Sequence, residues 1–461
     1  MKRVLCLASF ALLSLPVVAG VTVPSIFGDN MVLQRDRAAR IWGWATPGEE
    51  VRVDVAGQKW LAAAGDDGTW TVMIGAMPAG GPHTLVVRGT NTLTFENVMY
   101  GDVYVCSGQS NMQFTVREAN DADEEIAEAN YSNIRLFHVP QVPSESKSAD
   151  VIASWDECSP ESVAKFSAVA YYFGRSLNQE TGVPIGLIHT SWGGTPVESW
   201  MSRQVLRTIP QTSALLDAHF DAVKEFGTVR NPPRSPGALY NGMIAPFTRF
   251  TIAGAIWYQG ESNANDPGLY RFSFPAMIRD WRRAWGYDFP FYFVQLASFR
   301  GNAGWPGLRE AQLMALNEPN TGMAVAIDIG ETNDIHPKNK QDVGKRLARW
   351  ALRDIYGLDV VVSGPLYKDH KIFETNVEVL FEFGGGMAPA DGELILGFEI
   401  AGADRKFVPA RAVVKGNTVV VSNPMVRVPV AVRYAWHSDP NCNLVNKAGL
   451  PASPFRTDDW D

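Results

Sequence analysis

Between residues 101 and 356, short apolar runs alternate with longer stretches of helical period, and that alternation leaves few folds open. Residues 103–106, 134–139, 185–191, 255–259, 291–297 and 323–330 have the length and composition of buried strands. Residues 166–182, 270–286 and 339–356 carry helical spacing, the last with Val343, Leu347, Trp350, Ala351 and Ile355 on one face. Parallel neighbours need a crossover long enough to hold a helix. The pattern therefore predicts a parallel sheet with helices on both faces. In such sheets ligand sites lie beyond the carboxyl ends of the strands.

The flanks differ. Residues 51–57, 69–74 and 83–89 alternate apolar and polar side chains between turn signals such as Asp66-Asp67-Gly68, so residues 20–100 are expected to form a small β-sandwich. Beyond Gly357 the pattern returns to strands at 377–383, 393–400, 418–423 and 430–436, a C-terminal β-rich unit over 358–461. The hydrolytic or binding chemistry is expected in the α/β domain, 101–357.

Lys2 and Arg3 precede an apolar run from Val4 to Leu15 and small residues up to Ala19. This is the pattern of a secretory signal peptide over 1–19, which implies a periplasmic or secreted protein, free of the membrane once cleaved. Loss of Cys6 with the signal leaves Cys106, Cys158 and Cys442, compatible with one disulfide and a thiol or with three thiols. A net charge of -8, with no basic run, gives no electrostatic footprint for nucleic acid. No metal or cofactor is expected, because neither a His-Glu-x-x-His pattern nor a phosphate-binding glycine loop occurs.

Four strand-like runs end in polar loops: Ser107-Gly108-Gln109-Ser110-Asn111, Ser191-Trp192-Gly193-Gly194-Thr195, Gln259-Gly260-Glu261-Ser262-Asn263 and Asn333-Asp334-Ile335-His336-Pro337. Any one of them is an ordinary turn, and Ser110 alone is a good helix N-cap. Together they hold the parts of an acyl-transfer site. Ser110 is a hydroxyl nucleophile at a strand end, with Ser262 as its rival. Gly193 and Gly194 let backbone N–H groups approach an oxyanion, and Gln259 or Asn263 adds an amide donor. Among seven histidines, His336 stands in a loop after a strand with Asp334 two residues upstream, whereas His138 and His189 lie in strand patterns and read as core residues.

In this order the loops resemble the blocks of the SGNH hydrolases, most closely the sialate O-acetylesterase branch. Gly108-Gln109-Ser110-Asn111-Met112, Trp192-Gly193-Gly194-Thr195, residues 257–263 and Asp334-Ile335-His336-Pro337 carry the likeness, with 239–246, 308–312 and 449–456 similar to further segments. The resemblance implies a flavodoxin-like three-layer α/β/α hydrolase domain that removes O-acetyl groups from sugars or polysaccharides. It implies Ser110 as nucleophile and His336 as base. It also implies an oxyanion hole from the N–H groups of Ser110 and Gly194 or Gly193, with an amide of the third block. Asn333 fills the position of the usual acid, leaving Asp334 for that role. Trp192 is expected to wall the acyl pocket, and Glu261, Arg309, Trp257 and Trp305 to face the sugar, Arg309 meeting a sialate carboxylate.

Overall fold

The computed structural model describes residues 20–301 and 303–460. The expected signal peptide lies outside these residues.

Seven strands make the central sheet. In chain order the strands and principal helices are β1 (Thr92–Gly108), α1 (Ser110–Gln113), β2 (Tyr131–His138), β3 (Trp155–Cys158), α2 (Ala168–Thr181) and β4 (Ile185–Ser191). There follow β5 (Gly254–Tyr258), α3 (Pro267–Trp285), β6 (Phe291–Gln295), α4 (Trp305–Met314), β7 (Thr321–Val325) and α5 (Lys340–Asp354). Across the sheet they run β7-β6-β5-β1-β4-β2-β3. All neighbours are parallel except β2 and β3. With the β2–β3 pair at the edge set aside, the other five strands follow the flavodoxin-like order 2-1-3-4-5, as expected.

Successive residues of β6 show the layers, because side chains alternate between faces of a strand. The Tyr292 hydroxyl lies 3.3 Å from Asp354 of α5, while Phe293 packs edge-on against Phe274 of α3. On the first of these faces α5 lies against α2. A Cβ on Gly344 would fall 2.6 Å from that of Tyr172, so glycine sets how closely the two helices approach.

Register fixes where the loops emerge. Ser191 of β4 and Tyr258 of β5 both pair with Gly108 of β1. The three strands end level, and their loops leave the carboxyl edge side by side.

β1 belongs to two sheets. Its first half pairs antiparallel with Gly80–Arg88, residues 99–101 pair parallel with Val32–Gln34, and its last residues pair with β4 and β5. The expected boundary at residue 100 thus falls inside one continuous strand. Glu50–Val55 and Gln58–Ala63 extend the N-terminal sheet, and Ala39–Trp44 with Thr69–Ile74 form a separate antiparallel pair. Their buried residues alternate along each strand, as the sequence pattern required: Val51, Val53 and Val55 in one, Trp70, Val72 and Ile74 in the other.

The C-terminal unit has two antiparallel sheets of four strands, one including Val377–Glu382 and Thr418–Ser422, the other Phe398–Ala401 and Ala431–Tyr434. Phe455 joins them through ring contacts with Phe381 of the first and with Phe398 and Tyr434 of the second. Of the run 393–400 only the end is strand. Cys106, Cys158 and Cys442 are free thiols.

Candidate active site

Gly108 ends β1 at φ +144°, and a Cβ there would lie 2.1 Å from the Tyr258 carbonyl oxygen. Only glycine allows so close an approach. The chain then turns, the Gln109 N–H donating to that same carbonyl at 3.0 Å, and α1 begins at Ser110. The Ser110 Oγ meets Nε2 of His336 at 2.8 Å, the contact that a nucleophile–base pair requires.

His336 is held from two sides. Its backbone N–H donates to Asp334 Oδ1 at 2.9 Å. Its Nδ1 lies 3.7 Å from the same oxygen, close enough for attraction and too far for a hydrogen bond. Asp334 is half exposed (51% of its side chain). Phe114 stacks against the ring. Burial and then Lys340 lower the pKa of His336, while Asp334 and Glu118 raise it, with a net shift below the ordinary histidine value. The imidazole is therefore neutral at neutral pH, as a base must be.

The glycine loop lies next to Ser110, where a Cβ on Gly193 would come 3.2 Å from that of Ser110. Gly193 donates its N–H to Gln113 Oε1 at 2.8 Å. Gly194 adopts φ +72° beside open space. Among the described residues, the N–H groups of Ser110 and Gly194 make no protein hydrogen bond, so both are free for an oxyanion. Trp192 is half-buried, tied by its N–H to the Gly108 carbonyl. Arg234, exposed, donates to the Gly194 carbonyl, a contact that no motif in the sequence signals.

The third loop departs from expectation. Gln259 is fully buried and its amide donates to Thr195 O and Asn263 Oδ1, while its Oε1 accepts from Tyr270. Asn263 donates to both carboxylate oxygens of Glu198 and accepts from the Val197 N–H. Both hydrogens of the Gln259 amide are engaged within the protein, and the Asn263 amide is turned onto the Glu198 carboxylate. Ser262 donates its N–H to Gln109 Oε1, and among the described residues no histidine contacts its hydroxyl. Trp257 is enclosed by Trp200, Trp281 and Phe274 rather than facing a sugar.

Arg309 is likewise not a substrate residue. It is fully buried and donates to the carbonyls of Leu296, Ala297, His437 and Ser438. This clamps the C-terminal unit onto the loop after β6, helped by Gln295 donating to the Ser453 hydroxyl. Trp305 is buried and donates to Ala297 O. His189 is a core residue as expected, but His138, at the end of β2, is exposed.

Glu261 faces inward, not toward a sugar. Its Oε1 accepts from Asn111 Nδ2 at 2.5 Å, and its buried Oε2 has no partner. Asn111 also donates to Ile335 O at 2.9 Å and accepts from the ammonium of Lys340 at 2.5 Å. Lys340 is fully buried, its Nζ over the rings of Phe114 and Tyr258. Burial pushes Lys340 down to about 7 and Glu261 up, each partly opposed by the other. The signal for Lys340 was in the sequence: it lies three and seven residues before Val343 and Leu347, on their apolar stripe. Among the described residues no cluster of metal-ligating side chains occurs.

A serine paired to a histidine at the carboxyl edge of a flavodoxin-like sheet defines the geometry of an SGNH-type esterase. Residues 100–353 match the family described as carbohydrate esterase, sialic acid-specific acetylesterase, and the chain belongs to that family. It is 33% identical to the sialate O-acetylesterase of Mus musculus, over 95% of this chain and 94% of the relative. To that of Homo sapiens it is 32% identical, over 95% and 92%. A crystal structure of a carbohydrate acetylesterase from Xanthomonas citri superposes with a TM-score of 0.89 at 39% identity, covering 95% of this chain and all of that one.

Proposed function

We propose that this esterase is exported and removes O-acetyl groups from sugars, acetylated sialate foremost, through an acetyl-serine intermediate. The observation that carries the reading is the 2.8 Å contact of Ser110 Oγ with His336 Nε2, beside two unpaired backbone N–H groups. His336 takes the Ser110 proton as the oxygen attacks the acetyl carbonyl. The oxyanion is received by the N–H groups of Ser110 and Gly194, and His336 returns the proton to the departing sugar hydroxyl. Water, deprotonated by the same ring, then releases acetate. Asp334 steadies the imidazolium across 3.7 Å. With Arg309 occupied in the interior, Arg234, which reaches the Gly194 carbonyl from the turn at Pro232–Arg234, is assigned to meet a sialate carboxylate. The signal-like pattern at 1–19 supports export, and no described helix is long and apolar enough to cross a membrane.

The test is acetate release by the purified protein and by Ser110→Ala, from 9-O-acetyl sialate and, separately, from acetylated xylo-oligosaccharides. Release by the wild type that vanishes in the variant is expected. Undiminished release by Ser110→Ala would overturn the nucleophile, and release from the xylo-oligosaccharides alone would overturn the sialate assignment.

A further inference from the structure

Three of the four site loops meet at one buried amide. Asn111 follows the nucleophile directly, Glu261 belongs to the third loop, and Ile335 and Lys340 bracket the loop that carries His336. The Asn111 side chain touches all of them: Lys340 Nζ on its oxygen, Glu261 Oε1 and the Ile335 carbonyl on its nitrogen. The orientation of that amide is not arbitrary. A main-chain carbonyl can only accept, so the nitrogen must point to Ile335, and the oxygen is left for the ammonium. Asn111 is 2% exposed and Lys340 not at all. An ammonium and a carboxylate bridged by one amide are costly to bury and add little to stability compared with apolar replacements of the same size. Their place in the molecule calls for another reason.

That reason is at the next residue. Ile335 immediately precedes His336, so the bridge grips the histidine loop one peptide from the ring. On the solvent side Asp334 is half exposed and stands beyond hydrogen-bond distance of Nδ1. We propose that Lys340, Asn111 and Glu261 are positioning residues of the esterase, a buried bridge that holds the histidine loop where Nε2 meets the Ser110 hydroxyl. None of the three touches substrate.

The bridge also acts on the charge of the ring. The charged groups facing His336 are Lys340 from α5, Asp334 from its own loop and Glu118 from the segment after α1. Of these, only Lys340 lowers its pKa. Removing the ammonium therefore raises the pKa of His336 and moves the acid limb of kcat/KM to higher pH. Removing the Glu261 carboxylate has the same sign, because the pKa of Lys340, already lowered by burial, then loses the largest of the charges that raise it.

The inference rests on Ser110 and His336 as nucleophile and base, and the experiment separates the two. Glu261→Gln, Lys340→Met and Ser110→Ala are assayed beside the wild type for kcat, KM and pH profile on one acetylated sugar, with thermal midpoints recorded. A small displacement of a catalytic group costs on the order of 10²-fold in turnover. For Glu261→Gln the expected result is a folded protein with kcat lowered roughly 10- to 100-fold, KM within about twofold, and the acid limb moved to higher pH. If Lys340→Met fails to fold, Glu261→Gln alone decides, since it keeps the shape and an acceptor. Folded Glu261→Gln with wild-type kcat and an unmoved limb would overturn the bridge. Activity surviving in Ser110→Ala would overturn the nucleophile instead.

Discussion

The glycine loop and the third loop leave strands on either side of β1, level with Gly108, and both were expected to supply donors to the same oxyanion. They are built in opposite ways. The third loop is rich in side-chain amides, and each is bound to protein partners: Gln259 to Thr195, Asn263 and Tyr270, and Asn263 to Val197 and Glu198. The glycine loop has no side chain at 193 or 194, yet it keeps a backbone N–H at Gly194 unused. Side-chain amides near a site tend to be spent on buried partners such as the Glu198 carboxylate, where an unpaired group is expensive. A glycine backbone at positive φ can turn its N–H toward solvent with little else to satisfy.

The contrast can be broken by substitution. Asn263→Ala leaves Glu198 buried without its donor, and a loss of about 3 kcal/mol of stability is expected in urea unfolding, with kcat of the folded fraction within a few-fold. A fall of about 10²–10³ in kcat at unchanged stability would instead make Asn263 an oxyanion donor. Arg234→Ala removes the guanidinium that donates to the Gly194 carbonyl. It should lower kcat/KM on 9-O-acetyl sialate about tenfold and leave acetylated xylo-oligosaccharides unaffected; an equal loss on both would remove Arg234 from recognition. Gly194→Ala forces a side chain to φ +72° at a cost of about 1 kcal/mol. Turnover should drop more than KM rises, measured in steady state. The smallest effect concerns pH. The acid limb of kcat/KM is expected below the ordinary histidine range, because burial and then Lys340 lower the His336 pKa. Asp334→Asn, which deletes a charge that raises it, should move the limb lower still; movement upward would mean that Asp334 acts otherwise.

The parts legible in the sequence were those that depend on period and order. β4 was read to the residue, and α2, α3 and α5 nearly so, because a buried strand and an amphipathic helix print their spacing directly. Ser110 and His336 were legible because a nucleophile at a strand end needs a small polar loop, whatever lies around it. What could not be read was hydrogen-bond capacity. Arg309, Gln259 and Glu261 are the right residue types in the right blocks, and only the fold reveals that carbonyls of Leu296 and His437, the hydroxyl of Tyr270 and the amide of Asn111 have already claimed them. Arg234 lies beyond the glycine block along the chain and reaches it only through folding. Lys340 was readable from its apolar stripe, but a lysine beginning a helix invites the assumption of a solvated face.

β1 carries a last consequence. Its 17 residues run from the N-terminal sheet to the turn before Ser110 without a hinge between. A chain shortened to start near Thr92 would lose Gly80–Arg88 and Val32–Gln34, and with them the ladder along the strand's first half. Bare N–H and C=O groups would then line an extended edge, the kind of surface that recruits other chains into aggregates. For this esterase the N-terminal sheet acts as a sheath over the root of the strand that leads to Ser110, and cutting it away would leave a sticky edge.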